Sequence, residues 1–277
     1  MRLLLLLALL FGFGAAFAFE ENGQAAAPTN FSNEAALKFS ESVVGQQVGD
    51  YTLLDRNGKP FKISDYRGKP LLVSFIYTSC SEICPATTQY LAKAVKYMQA
   101  ALGADSFAVL TLGFNAPFDS PMMMRDFARR QNINLPNWEF ASADAATMRN
   151  LTRNLGFSYE YSVAGFNHIS LLTLIDQNGK IYSQVYGDRF ELPSMGEPLK
   201  KLVGNVETQY PGWEGLRNRI RLFCTVYDAK TQTYVTDYSF FVGMFISVIL
   251  IYFFVAWLVR AWRNAPDHQA NDNKKSQ

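Results

Sequence analysis

Phe240 to Val259 reads FFVGMFISVILIYFFVAWLV, 20 consecutive residues without a charge. A helix rises about 1.5 Å per residue, so this run matches the roughly 30 Å hydrocarbon core of a bilayer. In lipid every backbone polar group must be satisfied within the segment, and a helix does that. A buried core helix is the alternative, but the flanks oppose it. Tyr238, Tyr252, Trp257 and Trp262 lie near the ends of the run or within it, as interface aromatics do. Arg260, Arg263, Lys274 and Lys275 follow it, against Asp267 and Asp272. The excess of basic residues predicts that 260–277 is a cytoplasmic tail.

The other end of the chain is consistent with that topology. Arg2 precedes an apolar stretch over residues 3–19, and Ala16-Phe17-Ala18 forms a small-x-small site before the chain turns polar at Glu20. This is the layout of a secretory signal peptide over 1–18, cleaved after Ala18. An uncleaved anchor would export the next domain just as well. The expectation is a single-pass protein of the inner (cytoplasmic) membrane with its folded part on the periplasmic side. Residues 19–42, rich in Ala, Asn and Ser, read as a flexible leader. Residues 43–205 read as the folded domain, 206–239 as a stalk and 240–259 as the span. The formal net charge is +2, and no basic run is interleaved with aromatics, so no nucleic acid partner is expected.

The middle alternates strand and helix signals. Tyr51–Leu54 and Phe61–Ile63 flank an Arg56-Asn57-Gly58-Lys59 turn, a short hairpin. Leu71–Tyr77 is a continuous apolar run, as in a strand buried on both faces. A helix follows from Pro85, with Leu91, Ala94, Val95, Met98 and Leu102 at helical spacing. Phe107–Phe114 is a second buried strand. Ser120-Pro121 opens another helix with a cap residue and a proline at the first position. Met148, Leu151 and Leu155 mark a third, which Gly156 ends. Ile169–Ile175 and Lys180–Tyr186 form strands around an Asp176-Gln177-Asn178-Gly179 turn, and Leu192–Gly204 is a closing helix. The pattern is a mixed α/β layered domain plus one C-terminal transmembrane helix.

Within this domain, Cys80 and Cys84 fall between the first buried strand and its helix. Ligands gather in such crevices, at the carboxyl ends of strands. Proline at 85 disfavours helical geometry at Cys84. This places Cys84 near the N-cap, where backbone N–H groups and the helix dipole favour a thiolate. A thiolate attacks disulfides and also binds soft metals. The chain holds 2 histidines, and His268 falls in the predicted cytoplasmic tail. His168 is therefore the exported imidazole, on a predicted loop before the strand Ile169–Ile175. Two thiolates and an imidazole suit Cu(I), whereas structural zinc takes four ligands. A bland polar histidine and a thiol pair without metal remain open on this reading.

The segment GDYTLLDRNGKPFKISDYRGKPLLVSFIYTSCSEICP, together with HISLLTLIDQNGK, resembles the SCO/SenC family of membrane-anchored copper chaperones. The resemblance covers about residues 43–205. It implies a thioredoxin-like mixed sheet flanked by helices, with copper held by Cys80, Cys84 and His168. It also implies that Cys80 and Cys84 form a redox disulfide. It implies a role in assembling the dinuclear copper centre of cytochrome c oxidase, with the copper-bearing subunit and a copper donor protein as partners. Such a chaperone is not expected to be an enzyme. A thiol–disulfide oxidoreductase that reduces partner cysteines is the alternative, and a peroxide-reducing enzyme with a nearby arginine, Arg67 or Arg189, is a third class. The chain departs from the family pattern at Ser81-Glu82, Asn115 and Asn167, where acidic or Pro-Asp residues are common, while Asp119 matches the next acidic position. Its anchor is C-terminal, whereas many members are anchored at the N-terminus. Met122-Met123-Met124 reads as a helix start with one or two methionines in the core, the alternative being a thioether patch. Cys224 is an odd thiol, either buried or paired with a partner.

Overall fold

A computed structural model describes residues 31–163, 165–204, 225–228, 233–237 and 239–264. The predicted signal peptide, most of the predicted stalk, Cys224, His268 and the tail beyond Asn264 lie outside the described residues.

The centre is a five-stranded mixed sheet. Its strands are β3 (Leu71–Ile76), β4 (Ala108–Gly113), β5 (Trp138–Ala141), β8 (Leu171–Ile175) and β9 (Ile181–Tyr186), in the order β5-β4-β3-β8-β9. β3 pairs parallel with β4 and antiparallel with β8, with Leu71 opposite both Ala108 and Ile175. Every residue of β3, β4 and β8 is buried. This matches the uninterrupted apolar runs, because a central strand is covered on both faces.

Alternation along β3 feeds two cores. Leu72 and Ile76 join the face covered by α2 (Ile83–Leu102), α3 (Pro121–Arg130) and α5 (Leu192–Gly204), through Leu91, Val95, Met98, Phe127, Met195 and Leu199. Leu71, Val73 and Phe75 join the other face, with Met148 and Leu151 of α4 (Ala145–Asn154) and Leu155 that caps it. Leu53 of the hairpin β1 (Thr52–Leu54) and β2 (Pro60–Lys62), and Ile63 of the following 3-10 turn, complete this face. Met124 is buried in the first core while Met122 is exposed, so the methionine run is a helix start with a core anchor.

Four expectations change. The predicted flexible leader ends earlier, because Asn33–Ser42 forms helix α1. Ser32 caps it, its hydroxyl accepting the Ala35 N–H, and buried Ala36 and Ser40 dock it on the sheet. The Ser40 hydroxyl lies 2.8 Å from that of Tyr186. The helix after the cysteine loop starts at Ile83, ahead of Pro85. A proline in the first turn removes an N–H that has no intrahelical partner anyway, so it is tolerated there. β5 carries too short an apolar run to be read from the sequence. His168 ends a strand rather than sitting in a loop, since Tyr159–Ser162 (β6) pairs with Gly165–His168 (β7).

Beyond the domain, Thr225–Asp228 (β10) and Thr233–Thr236 (β11) form an antiparallel hairpin. Ser239–Arg263 forms helix α6, of which Phe241–Arg263 is long and apolar enough to cross a membrane.

Gly156 terminates α4 with φ +72°, and an added Cβ would sit 2.7 Å from Val43 Cγ2 and 2.8 Å from Ser40 Cα. Gly156→Ala combines a left-handed backbone, which costs about 1–2 kcal/mol, with an overlap on α1. Urea unfolding is expected to show a loss of at least that size, and Gly156→Asn is expected to lose stability too, because its Cβ meets the same overlap even though Asn tolerates this backbone region.

Candidate functional site

The carboxyl ends of β3 and β4 run into two loops that share one buried carboxylate. Asp119 is only 2% exposed. Its Oδ1 accepts the Thr78 N–H at 2.8 Å and the Thr78 hydroxyl at 2.7 Å, and its Oδ2 accepts the Asn115 N–H at 2.8 Å. Burial raises the Asp119 carboxyl against these three donors, and burial prevails. Gly113 makes room, because a Cβ there would lie 2.6 Å from Asp119 Cβ.

With Thr78 fixed, the chain turns so that the Cys80 N–H donates to the Tyr77 carbonyl at 3.1 Å. The Cys80 sulfur then sits at the start of α2, accepting the Cys84 N–H at 3.2 Å. Cys80 is half-buried, whereas Cys84 is 4% exposed, and both are free thiols. This reverses the sequence-based expectation for the two sulfurs. Burial pushes the Cys84 thiol well above its ordinary range. Burial acts the same way on Cys80, but it is outweighed by hydrogen bonds from the Cys84 N–H, the Cys84 thiol, the Tyr77 hydroxyl and the Glu82 N–H, so that the Cys80 thiol falls. The helix terminus therefore favours a thiolate on Cys80, four residues earlier than supposed.

His168 approaches from the β6–β7 hairpin. Its ring lies 5.6 Å from both the Phe114 and Phe157 rings and edge-on to Tyr77 at 6.4 Å. Burial lowers its pKa and holds it neutral. Nδ1 lies 3.1 Å from the Ile169 carbonyl, so Nδ1 carries the proton and Nε2 keeps its lone pair. Tyr77 ties the hairpin to the cysteine loop. Its ring packs on Phe114 and Phe166, and a Cβ on Gly165 (φ +119°) would lie 2.7 Å from its hydroxyl. Burial, and next the hydrogen bond to Cys80, push Tyr77 up to about 12.

Cys84 and His168 line the same small cavity with Ser74, Thr87 and Ser170, about 20 Å³ in volume and room for roughly one water. Cys80, half-buried, sits just before the helix that carries Cys84. Among the described residues, no group of three Cys, His, Asp or Glu side chains is gathered closely enough to hold a metal ion. The two arginines lie in different places. Arg67 precedes β3 and crosses Gly179, at the opposite end of the sheet. The Arg189 guanidinium lies 5.7 Å over the Tyr90 ring.

Asp119, Thr78 and the aromatic ring around His168 were not singled out for these roles from the sequence. Gly113 and Gly165, each in close contact with one of these side chains, were the available signals.

The family profile described as SCO1/SenC matches residues 41–234. The chain belongs to this family. A Bacillus subtilis (strain 168) SCO1 protein homolog is 27% identical over 106 residues, 35% of this chain and 53% of that protein. The match thus spans about half the length of that relative. The SCO1/SenC family lipoprotein from Bacillus anthracis str. Ames superimposes with a TM-score of 0.52 at 21% identity, covering 57% of this chain and 95% of its own. Copper-bound ScoI from Bradyrhizobium japonicum matches more loosely, with a TM-score of 0.48 at 22% identity, covering 57% and 99%. The family fold is the thioredoxin-like mixed sheet expected above.

Two outcomes follow from the geometry. In the reduced protein, iodoacetamide is expected to label Cys80 first, with a pH midpoint below that of an ordinary thiol, while Cys84 stays unlabelled until the domain is denatured. Peptide mapping across a pH series checks this, and the opposite order refutes the assignment. Asp119→Asn replaces an acceptor facing the Asn115 N–H with a donor. It is expected to cost about 1–3 kcal/mol and to bring the reactivity of Cys80 back toward that of a free thiol.

Proposed function

We propose that this chain is a membrane-anchored copper chaperone whose cargo is held by Cys80, Cys84 and His168. The observation that carries the reading is one small cavity lined by both Cys84 and a His168 ring with a free Nε2 lone pair, with the Cys80 sulfur bonded to the Cys84 N–H beside it. Family membership supports it. Thiolates and imidazole are the donor types that suit Cu(I), and Cu(II) relies more on the nitrogen. The Ile169 carbonyl fixes the ring tautomer, as partners of ligating histidines do. Cys84 must lose its proton on loading, so metal uptake releases protons and weakens as pH falls. The partners in this reading are a copper donor and the copper-bearing subunit of cytochrome c oxidase. The signal-peptide-like start and the basic tail support a periplasmic domain with the C-terminus in the cytoplasm.

The asymmetry of the two thiols favours a second reading. Cys80, exposed and thiolate-prone, has the properties of an attacking nucleophile, and buried Cys84 those of a resolving thiol. Reduction of a partner disulfide would leave a Cys80–Cys84 disulfide and two partner thiols. Chaperone and reductase both need the reduced pair, and His168 separates them.

In His168→Ala, Cu(I) affinity is expected to fall by about 10–100-fold, the scale seen when even a supporting group around a metal is lost, and Cu(II) affinity to fall further. Reduction of a model disulfide should change little. Anaerobic titration beside a thiol-exchange assay reads all three quantities. Unchanged copper affinities with collapsed exchange would leave the reductase reading in place. A reporter fused after Gln277 is expected to behave as cytoplasmic and one fused near Gly204 as exported.

A further inference from the structure

We infer that the outer flank of α2 rests on the membrane and binds the phosphate-bearing headgroups of anionic lipids. The inference depends on α6 being the membrane span.

The first observation is chain continuity. Strand β11 packs against α2. β11 ends at Thr236, and α6 begins at Ser239, where the Asp237 carboxylate accepts the Ser239 N–H at 2.8 Å. Three residues reach at most about 11 Å. The side of the domain that holds β11 therefore stays about a nanometre from the start of the span. That side is α2.

The second observation is the chemistry of that side. Tyr90, Lys93 and Tyr97 recur at helical spacing on α2, and they face Arg189, Glu191, Leu192 and Pro193 across a cleft of about 510 Å³. Arg189 lies 5.7 Å over the Tyr90 ring and Lys93 6.0 Å from the Tyr97 centroid. Tyr90 is 42% exposed. Lys93, Lys96 and Arg189 are exposed, and Glu191 is the opposing carboxylate, so the cleft keeps a positive balance. Tyrosines with an apolar body and a wet tip, paired with lysine or arginine, are the side chains that settle at the level of lipid headgroups. Basic residues near an anionic surface each contribute about a fivefold preference for the docked state. This orientation also bears on the thiol site. Cys84 lies on the same helix six residues before Tyr90, about 9 Å along its axis. In this orientation the thiols are held close to the bilayer surface.

The test uses the full chain in nanodiscs of phosphatidylcholine alone or with phosphatidylglycerol. Hydroxyl-radical footprinting reads Tyr90 and Tyr97, with Tyr161, 76% exposed on β6, as the reference. Tyr90 and Tyr97 are expected to be protected relative to Tyr161 when phosphatidylglycerol is present. The double variant Lys93→Glu, Arg189→Glu should lower the docked-to-free ratio by at least about 30-fold, two such steps combined. Equal protection in phosphatidylcholine discs by added inorganic phosphate would overturn the lipid assignment and leave a soluble-anion cleft. Protection that persists in detergent without lipid would mean that the protein itself covers the flank, which also overturns it. So would Tyr90 and Tyr97 reacting like free tyrosine in every disc. Failure of the chain to enter nanodiscs would instead remove the membrane-span reading on which the inference rests, a result distinct from the others.

Discussion

The buried carboxylate of Asp119 is the constraint on which the thiol loop depends. It accepts two hydrogen bonds from Thr78 and one from Asn115, joining the ends of β3 and β4 at a single point. A buried carboxylate without partners would cost several kcal/mol and would take up a proton instead. With these donors in place, it fixes the backbone two residues before Cys80. The turn that follows carries the Cys80 sulfur to the Cys84 N–H. A carboxylate this close to the thiols also disfavours charge on Cys84, adding to the effect of burial. Asp119 thus helps to position one sulfur and to keep the other protonated.

Tyr77 extends this order to the imidazole. It follows β3 directly, so the sheet fixes its backbone, while its ring spans from the cysteine loop to the β6–β7 hairpin. Phe114, Phe157, Tyr159 and Phe166 fill the space around it, with Phe75 and Phe157 stacked at 4.1 Å. Aromatic pairs of this kind add about 0.5–1.5 kcal/mol beyond the area they bury. They also exclude water from one side of His168, and that burial lowers its pKa.

The parts of the fold that were legible in the sequence are those with a long, uniform signal. Leu71–Tyr77 and Phe107–Phe114 were readable because central strands need apolar residues on both faces. The run Phe240–Val259 was readable for a related reason, since lipid leaves no face for charge. α1 was missed because Ala, Asn and Ser give it little periodicity, and its helix depends on a Ser32 cap and on docking through Ala36 and Ser40. The β6–β7 hairpin was missed because Tyr, Glu, Gly and Asn mark it as irregular, and aromatic packing from other elements holds it. The residues of the candidate site were legible as types, and the sheet end they share followed from topology. Which sulfur would be the thiolate was not legible. That depends on how deeply each sulfur is buried and on the hydrogen bonds that converge on Cys80, which no spacing rule encodes.

The unequal burial of the two thiols bears on how such a site can both load and release an ion. A closed tetrahedral set of fixed ligands, as in structural metal centres, binds tightly and exchanges slowly. Here the cavity lined by Cys84 and His168 has room for roughly one water, while Cys80 is the more exposed of the two thiols. In the proposed reading, an incoming donor would meet Cys80 first, since it is both exposed and thiolate-prone. Cys84 and His168 would then complete the shell from the interior. Release would run in reverse, with a partner thiolate competing for the ion from the Cys80 side. The barrier to exchange then lies in deprotonating Cys84 and shifting the hairpin that carries His168. Both depend on Tyr77, whose hydroxyl contacts the outer thiol and whose ring contacts the imidazole. In that reading, an ion would pass along this edge without opening the two hydrophobic cores behind it, and the fold would stay intact while its cargo changed hands.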